Sequence, residues 1–133
     1  MSLALEVFSR AEGRCEYCRL PQAAFQRKFH LEHITARSHG GATDLDNLAL
    51  ACWPCNLRKS INLAGIDPET GEVVALFHPR KDTWADHFEA WRVEICGKTP
   101  QGRATVHTLR MNSEGQQLVR AELWREGIFG EKV

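Results

Sequence analysis

The stretch that decides the fold runs from Cys15-Glu16-Tyr17-Cys18 to Cys52-Trp53-Pro54-Cys55. Each Cys-x-x-Cys turn presents two thiolates to one side, and two such turns supply the four sulfur ligands of a tetrahedral Zn²⁺ site. A site closed by four cysteines is structural, because it leaves no coordination position for a substrate. The spacing therefore predicts that one zinc ion ties the two ends of this stretch together, with Cys15, Cys18, Cys52 and Cys55 as its ligands.

Two other uses of these cysteines compete with zinc, namely disulfides and redox chemistry. Residues 1–6 are charged early and have no long apolar run, so we expect no signal peptide and a cytoplasmic, reducing location in which disulfides are rare. A redox site needs one Cys-x-x-Cys, whereas this chain has two that are separated by 33 residues. Cys96 lies outside the pattern and is expected to be a buried small hydrophobic residue.

Length and composition limit the remaining possibilities. A chain of 133 residues fits one domain, or a small zinc-clamped core with an extension packed against it. No run of 18 apolar residues is present, so no membrane span is expected. The formal net charge of zero argues against a generic basic nucleic-acid binder, although a local basic patch remains compatible with it.

Hydrophobic spacing and turn residues predict the elements of the first half. We expect a short helix from Leu3 toward Gly13, a strand over 27–34, a glycine-containing loop over 38–44, a short strand over 45–51, and a helix from Pro54 through Ile61. The predicted order around the cysteines is strand, loop, short strand, helix.

The second half is predicted in the same way. A turn-rich stretch over 65–72 precedes a strand over 73–77, and a second strand is expected over 88–96. Thr99 followed by Pro100 marks a helix start, and Ser113 with Gln116 forms a capping box for a last helix that ends near Gly127. Trp84, His87 and Trp91 could line a groove, but core packing is the expectation for them.

Residues 15–60 resemble the HNH endonuclease family. The resemblance is carried by Cys-Glu-Tyr-Cys, Leu-Glu-His-Ile, the Gly-Gly pair, and Asp-Asn-Leu-Ala-Leu-Ala-Cys-Trp-Pro-Cys-Asn-Leu-Arg-Lys-Ser, in this order and spacing. In that family the stretch forms a ββα-metal (His-Me finger) fold that hydrolyses DNA phosphodiester bonds. The resemblance implies an α+β protein with a zinc-stapled ββα-metal core over 1–65. A β-hairpin and two helices over 66–133 would then form an extension packed on the core.

The expected reaction needs a base and a cation. Water must lose a proton near neutral pH, and imidazole is the side chain whose ordinary pKa suits that task, so His33 is the candidate general base. A hard divalent cation with oxygen ligands would stabilise the charge that develops, which makes Glu32 and Asn56 its candidate ligands. By resemblance, Asn47 orients the loop and His33 through hydrogen bonds to the backbone.

Two features of the sequence depart from the family pattern or strain it. Many HNH proteins have histidine at the positions of Asn56 and Ser60, which share one helix face. Oxygen ligands in their place shift the preference of the catalytic position toward Mg²⁺ or Mn²⁺. Moreover, neighbouring residues of a regular strand point to opposite faces, so Glu32 and His33 can serve one site only where the strand ends or bulges.

DNA is the expected partner, bound mostly through its backbone and therefore with little sequence specificity. The candidate phosphate contacts are basic residues that flank the catalytic strand and helix: Arg27, Lys28, Arg37, Arg58 and Lys59. Two alternatives stay open, a non-catalytic zinc-stabilised nucleic-acid-binding or scaffold module and an RNA endonuclease. Glu32 could also be only a solvated surface charge. The sequence leaves undecided the biological substrate, nicking versus double-strand cleavage, and the oligomeric state.

Overall fold

The computed structural model describes residues 2–127. Within it the chain forms two compact units. Within the described range, the first comprises residues 2–63 together with His78–Asp82, and the second comprises Ala64–Phe77 and residues 83–127. None of the helices in the described range has both the length and the apolar character that a membrane crossing requires.

The first unit contains the predicted strand, strand, helix order. Its elements are α1 (Leu3–Arg10), β1 (His30–His33), β2 (Leu48–Ala51) and α2 (Trp53–Lys59). β1 and β2 pair antiparallel, with His30 opposite Ala51 and His33 opposite Leu48. The ββα arrangement and the α+β class are therefore confirmed, although β1 is shorter than the predicted strand and starts at His30 rather than at Arg27.

Helix α1 closes the back of this hairpin. Ser2 caps the helix by accepting a hydrogen bond from the Leu5 amide at 3.2 Å. Val7 and Ala11 then pack on Leu48 and Leu50, which are all buried. Because every residue of β2 is buried, this strand forms the centre of the first unit and fixes the position of β1 beside it.

The second unit contains two hairpins rather than the single one predicted. β3 (Ala64–Ile66) pairs with β4 (Val73–Ala75), and β5 (Phe88–Trp91) pairs with β6 (Glu94–Gly97). The prediction of one strand over 88–96 is wrong, because Arg92 and Val93 form a tight turn in which Arg92 adopts a φ of +56°. Apolar residues continue to alternate across this turn, so the periodicity gave no sign of it.

Helices complete the second unit: α3 (Trp84–His87), α4 (Pro100–Leu109) and α5 (Glu114–Arg125). The predicted caps are confirmed, since the Thr99 hydroxyl accepts from the Gly102 amide and the Ser113 hydroxyl from the Gln116 amide. Gly97 allows β6 to lie directly on α4, because a Cβ there would meet the Arg103 backbone nitrogen at 2.4 Å. Trp84 is buried against Phe88 as expected, whereas Trp91 is exposed and does not belong to the core.

We expect Asp67→Asn to destabilise the protein most clearly above pH 4. The buried Asp67 carboxylate accepts hydrogen bonds from Arg103 at 3.0 and 2.8 Å, and this guanidinium lowers the pKa of Asp67 to about 2. The folded-state pKa of Asp67 lies below the ordinary value of about 3.9. The ionised carboxylate therefore stabilises the protein above about pH 4, and this contribution disappears as the pH falls toward 2.

Denaturant unfolding at several pH values measures this effect. The difference in free energy of unfolding between wild type and Asp67→Asn should shrink as the pH falls through that window, and any zinc-dependent change common to both proteins cancels. Glu69→Gln is the matched control, because Glu69 also contacts Arg103 but is exposed. A difference that stays constant with pH would contradict the assignment.

Candidate functional site

The four predicted cysteines form one buried cluster. Their sulfur atoms all lie within 4.8 Å of one another, and those of Cys18 and Cys52 are 3.7 Å apart. A tetrahedral zinc ion with Zn–S bonds of about 2.3 Å requires sulfur atoms about 3.8 Å apart, so the cluster has the dimensions of a four-cysteine zinc site. Among residues 2–127 it is the one group of three or more His, Cys, Asp or Glu side chains that could hold a metal.

Local backbone structure creates this cluster. In the first turn the Cys18 amide points at the Cys15 sulfur at 3.5 Å, and Arg19 follows with a φ of +69°. In the second turn Cys52 precedes α2 and Cys55 lies in its first turn, where the helix amides favour a thiolate. Hydrogen bonds among the four sulfur atoms hold the pKa of Cys18 well below its ordinary value and raise the pKa of Cys52 and Cys55, as expected when neighbouring thiols share one thiolate.

His33 is the last residue of β1, and its ring is held from one side. The Nε2 atom lies 2.8 Å from the hydroxyl oxygen of Thr43, which belongs to the loop between β1 and β2. Sequence reasoning missed Thr43, because nothing marks a hydroxyl in a glycine-rich loop as the partner of a particular histidine. The contact leaves Nδ1 as the ring nitrogen available for other chemistry.

Asn47 fixes the loop that carries Thr43. Its side-chain oxygen accepts from the Thr35 amide at 2.8 Å, and its amide nitrogen donates to the carbonyls of Thr35 at 2.9 Å and Ala42 at 2.8 Å. The loop passes so close that a Cβ on Gly41 would lie 1.8 Å from the Thr35 carbonyl oxygen. This contact explains the second glycine of the Gly-Gly pair, and Asn47 makes the backbone hydrogen bonds that the resemblance implies.

Glu32 lies on β1 beside His33 but is engaged in the interior. Its side chain is 4 % exposed, one carboxylate oxygen accepts from the Tyr17 hydroxyl at 2.5 Å, and the other lies 2.8 Å from the Lys59 ammonium. Burial raises the pKa of Glu32, and Lys59 and Tyr17 partly offset that rise. The alternative in which Glu32 is only a solvated surface charge is therefore wrong.

An open groove of about 500 Å³ brings the candidate catalytic residues together. Because β1 ends at His33, Glu32 and His33 both border this groove, and α2 contributes Asn56. Ser60, which directly follows α2, borders the groove as well. The rest of the lining is mixed in character and includes Leu31, Arg37, Leu57 and Ile61.

The donors in the groove suit a divalent cation of the magnesium class. A carboxylate offers about four acceptor positions, of which Tyr17 and Lys59 address only part. The buried Oε2 atom of Glu32 has no hydrogen bond of good geometry, and the Asn56 side chain offers an amide oxygen. Oxygen donors of this kind fit Mg²⁺ or Mn²⁺. An ion there would share the Glu32 carboxylate with the Lys59 ammonium.

The candidate phosphate contacts differ in accessibility. Arg27, Lys28 and Arg37 are exposed, and Arg37 borders the groove. The Arg27 guanidinium lies 5.6 Å from the ring centre of the exposed Trp53, and Arg58 is half-buried.

Lys59 does not fit the predicted role of a phosphate contact, and this expectation is corrected. Its side chain is 2 % exposed, and its ammonium donates to the Ile34 carbonyl at 2.8 Å beside Glu32. A cation that is buried and already paired in this way is not presented to a ligand.

Comparison with known proteins agrees with this geometry. Residues 15–61 match the family model described as HNH endonuclease. This stretch of the chain therefore matches an HNH domain, and its four clustered cysteines are suited to zinc. The match supports a function of the nuclease type in general. Neither a curated protein nor a solved structure matches the chain.

We expect Cys52→Ser to lose the metal and to unfold the first unit. Structural zinc in small domains supplies folding free energy of about 10 kcal/mol, so removing one ligand acts on stability rather than only on activity. Elemental analysis and thermal melting measure the two effects. Cys96→Ser is the matched control, because Cys96 lies outside the cluster. A Cys52→Ser protein that keeps one zinc per chain and melts like wild type would refute the zinc assignment.

Proposed function

We propose that this protein is a metal-dependent endonuclease that hydrolyses DNA phosphodiester bonds with a water activated by His33. The main support is that His33, Glu32 and Asn56 border one groove inside the HNH domain. A base and two oxygen donors are the groups that this hydrolysis needs on the protein side.

His33 acts as the general base in this proposal. The water oxygen attacks phosphorus, its proton passes to Nδ1 of His33, and the bond from phosphorus to the leaving 3′ oxygen breaks. In this proposal Nε2–H donates to the Thr43 hydroxyl oxygen, which lies 2.8 Å away, so that the lone pair on Nδ1 is free to take the proton. Asn47 holds the loop on which Thr43 lies, so both residues act through His33 rather than on the substrate.

Glu32 and Asn56 are the proposed ligands of a Mg²⁺ or Mn²⁺ ion. When bound, such an ion stabilises the negative charge that develops on the phosphoryl and leaving oxygens. Glu32 is held in place by Tyr17, so its carboxylate is oriented before any ligand arrives. Asn56 belongs to α2 and Glu32 to β1, and both residues line the groove.

Substrate contact is proposed to run along the DNA backbone. The exposed Arg27, Lys28 and Arg37 provide cationic contacts to phosphates, and Arg37 lines the same groove as the proposed reacting groups. Arg58 adds a fourth, half-buried candidate. Phosphate contacts position a duplex without reading its sequence, so we propose low sequence specificity.

One observation favours a second candidate, a non-catalytic zinc-stabilised nucleic-acid-binding module. The Lys59 ammonium already neutralises Glu32, so the carboxylate best placed for an ion has a cation of the protein beside it. Such a protein would bind nucleic acid and leave it intact. An RNA endonuclease would use the same groups, and parallel assays on DNA and RNA separate these possibilities.

We expect His33→Ala to abolish cleavage while leaving the fold intact. Loss of a general base slows a reaction by roughly a hundredfold or more, whereas His33 lies at a strand end and is only half-buried. Plasmid nicking with added Mg²⁺ or Mn²⁺ measures the rate, and zinc content and melting temperature report the fold. His39→Ala is the matched control, since His39 is an exposed histidine of the neighbouring loop.

Asn56→Ala is the companion variant, because its cleavage activity should depend on the concentration of added metal ion. Its activity should recover in part at high Mn²⁺, since the loss is one of ion affinity, and excess metal should not rescue His33→Ala. If His33→Ala cuts at the wild-type rate in a preparation free of contaminating nuclease, the catalytic assignment is wrong and the binding module becomes the better description.

We expect Thr43→Val to lower the cleavage rate through the His33 tautomer. Losing the hydrogen-bond partner of a metal-binding histidine costs about 10- to 100-fold, and we expect a loss of similar order for the general base His33. Thr43→Ser keeps the hydroxyl and should restore most of the rate. Nitrogen NMR shifts of the His33 ring should show more Nδ1–H tautomer in Thr43→Val than in wild type or Thr43→Ser. Equal tautomer populations in all three proteins would refute the positioning role.

A further inference from the structure

The second unit carries an exposed aromatic groove that the HNH chemistry does not use. It lies between the turn of the β5–β6 hairpin and helix α5, and has a volume of about 620 Å³. Two tryptophans from these two elements line it, Trp91 at 63 % exposure and Trp124 at 45 %. Two indole rings left in water in one concave surface are unusual in a small domain and indicate a binding site.

The charged side chains among the described lining residues are cationic. Arg92 and Arg125 line the groove, and none of the residues in 2–127 that line it carries a carboxylate. The Arg92 guanidinium lies 5.6 Å from the ring centre of Trp91, which is cation–π distance. Arg125 also contacts Glu122 at 2.9 Å, but both partners are exposed. An exposed ion pair of this kind is weak, so Arg125 is available for a phosphate.

The two walls of the groove are fixed to each other. Arg120 is fully buried on α5 and donates to the Val93 carbonyl, in the hairpin turn, at 3.1 Å. Asn112 binds the amide and carbonyl of Ile95 on β6 at 2.8 and 2.9 Å, and thereby anchors the same hairpin. A ligand would therefore meet a preformed surface and would not have to order it.

We propose that this groove binds single-stranded nucleic acid, with unpaired bases stacked on Trp91 and Trp124 and phosphates held by Arg92 and Arg125. Unpaired bases expose the π-faces that indole rings stack on, whereas a duplex hides those faces inside its own stack. A purely apolar partner would gain nothing from the two arginines, and an anionic backbone matches them. The proposal concerns the second unit only and is independent of the nuclease reaction.

Tryptophan fluorescence of the 133-residue chain tests this proposal. The background is Trp53→Phe with His33→Ala, without added divalent ion, so that no cleavage occurs. The remaining tryptophans are the buried Trp84 and the two groove residues. Titration with a twelve-residue oligothymidylate should quench the emission. Trp91→Ala or Trp124→Ala should each weaken its binding on the order of tenfold.

Two further variants sharpen the test. Arg92→Ala should reduce the slope of log affinity against log salt by about one, as expected for one lost phosphate contact. Leu118→Ala is the matched control, because Leu118 is an exposed apolar residue of the same helix outside the lining and should leave affinity unchanged. Circular dichroism melts establish that each variant is folded.

Several results would overturn the proposal. The first is that neither tryptophan substitution changes the affinity for oligothymidylate. The second is that Arg27→Ala and Lys28→Ala abolish this affinity instead. The third is that a hairpin duplex binds as tightly as oligothymidylate and depends equally on Trp91. Self-association that Trp124→Ala abolishes, without oligonucleotide binding, would make the groove a contact between copies of the chain. None of these readouts involves cleavage, so they stand apart from the nuclease assignment.

Discussion

Four buried sulfur atoms within 4.8 Å of one another hold the first cysteine turn against the start of α2. The residues between the first two cysteines then reach both strands of the hairpin. Glu16 accepts from the Leu50 amide on β2 at 2.8 Å, and Tyr17 donates to Glu32 on β1. The position of His33 at the end of β1 thus depends on a cluster to which it contributes no ligand. If the sulfur cluster opens, the groove loses its geometry.

A chain of buried polar contacts carries this constraint to the groove. It runs from the Tyr17 hydroxyl to Glu32, from Glu32 to the Lys59 ammonium, and from Lys59 to the carbonyl of Ile34, which directly follows His33. Buried charges are tolerated when each is paired, and removing one partner leaves the other uncompensated. The network therefore specifies one arrangement of the first cysteine turn, β1 and α2 next to the imidazole of His33.

Local spacing was enough to predict the two cysteine turns, the order of the elements and the helix caps, because each depends on residues a few positions apart. The shared metal site of the two turns, which 33 residues separate, followed from the number and type of the ligands. The Thr43 contact could not be predicted in the same way, since it joins residues ten positions apart across a loop whose path is set by Asn47 and Gly41. The burial of Lys59 was also hidden, because lysine is rarely buried without a partner and the sequence does not show which carboxylate will pair with it.

Glu32 belongs both to the buried polar network and to the lining of the groove. As part of the buried network it stabilises the first unit, and as part of the groove lining it is the carboxylate closest to the proposed chemistry. A substitution at Glu32 would disturb both, because Lys59 would be left buried without its partner. Asn56 is only half-buried on the groove and carries no such pairing with a buried charge. A substitution at Asn56 can therefore separate the proposed ion binding from the stability of the first unit, whereas at Glu32 the two are linked by the same carboxylate.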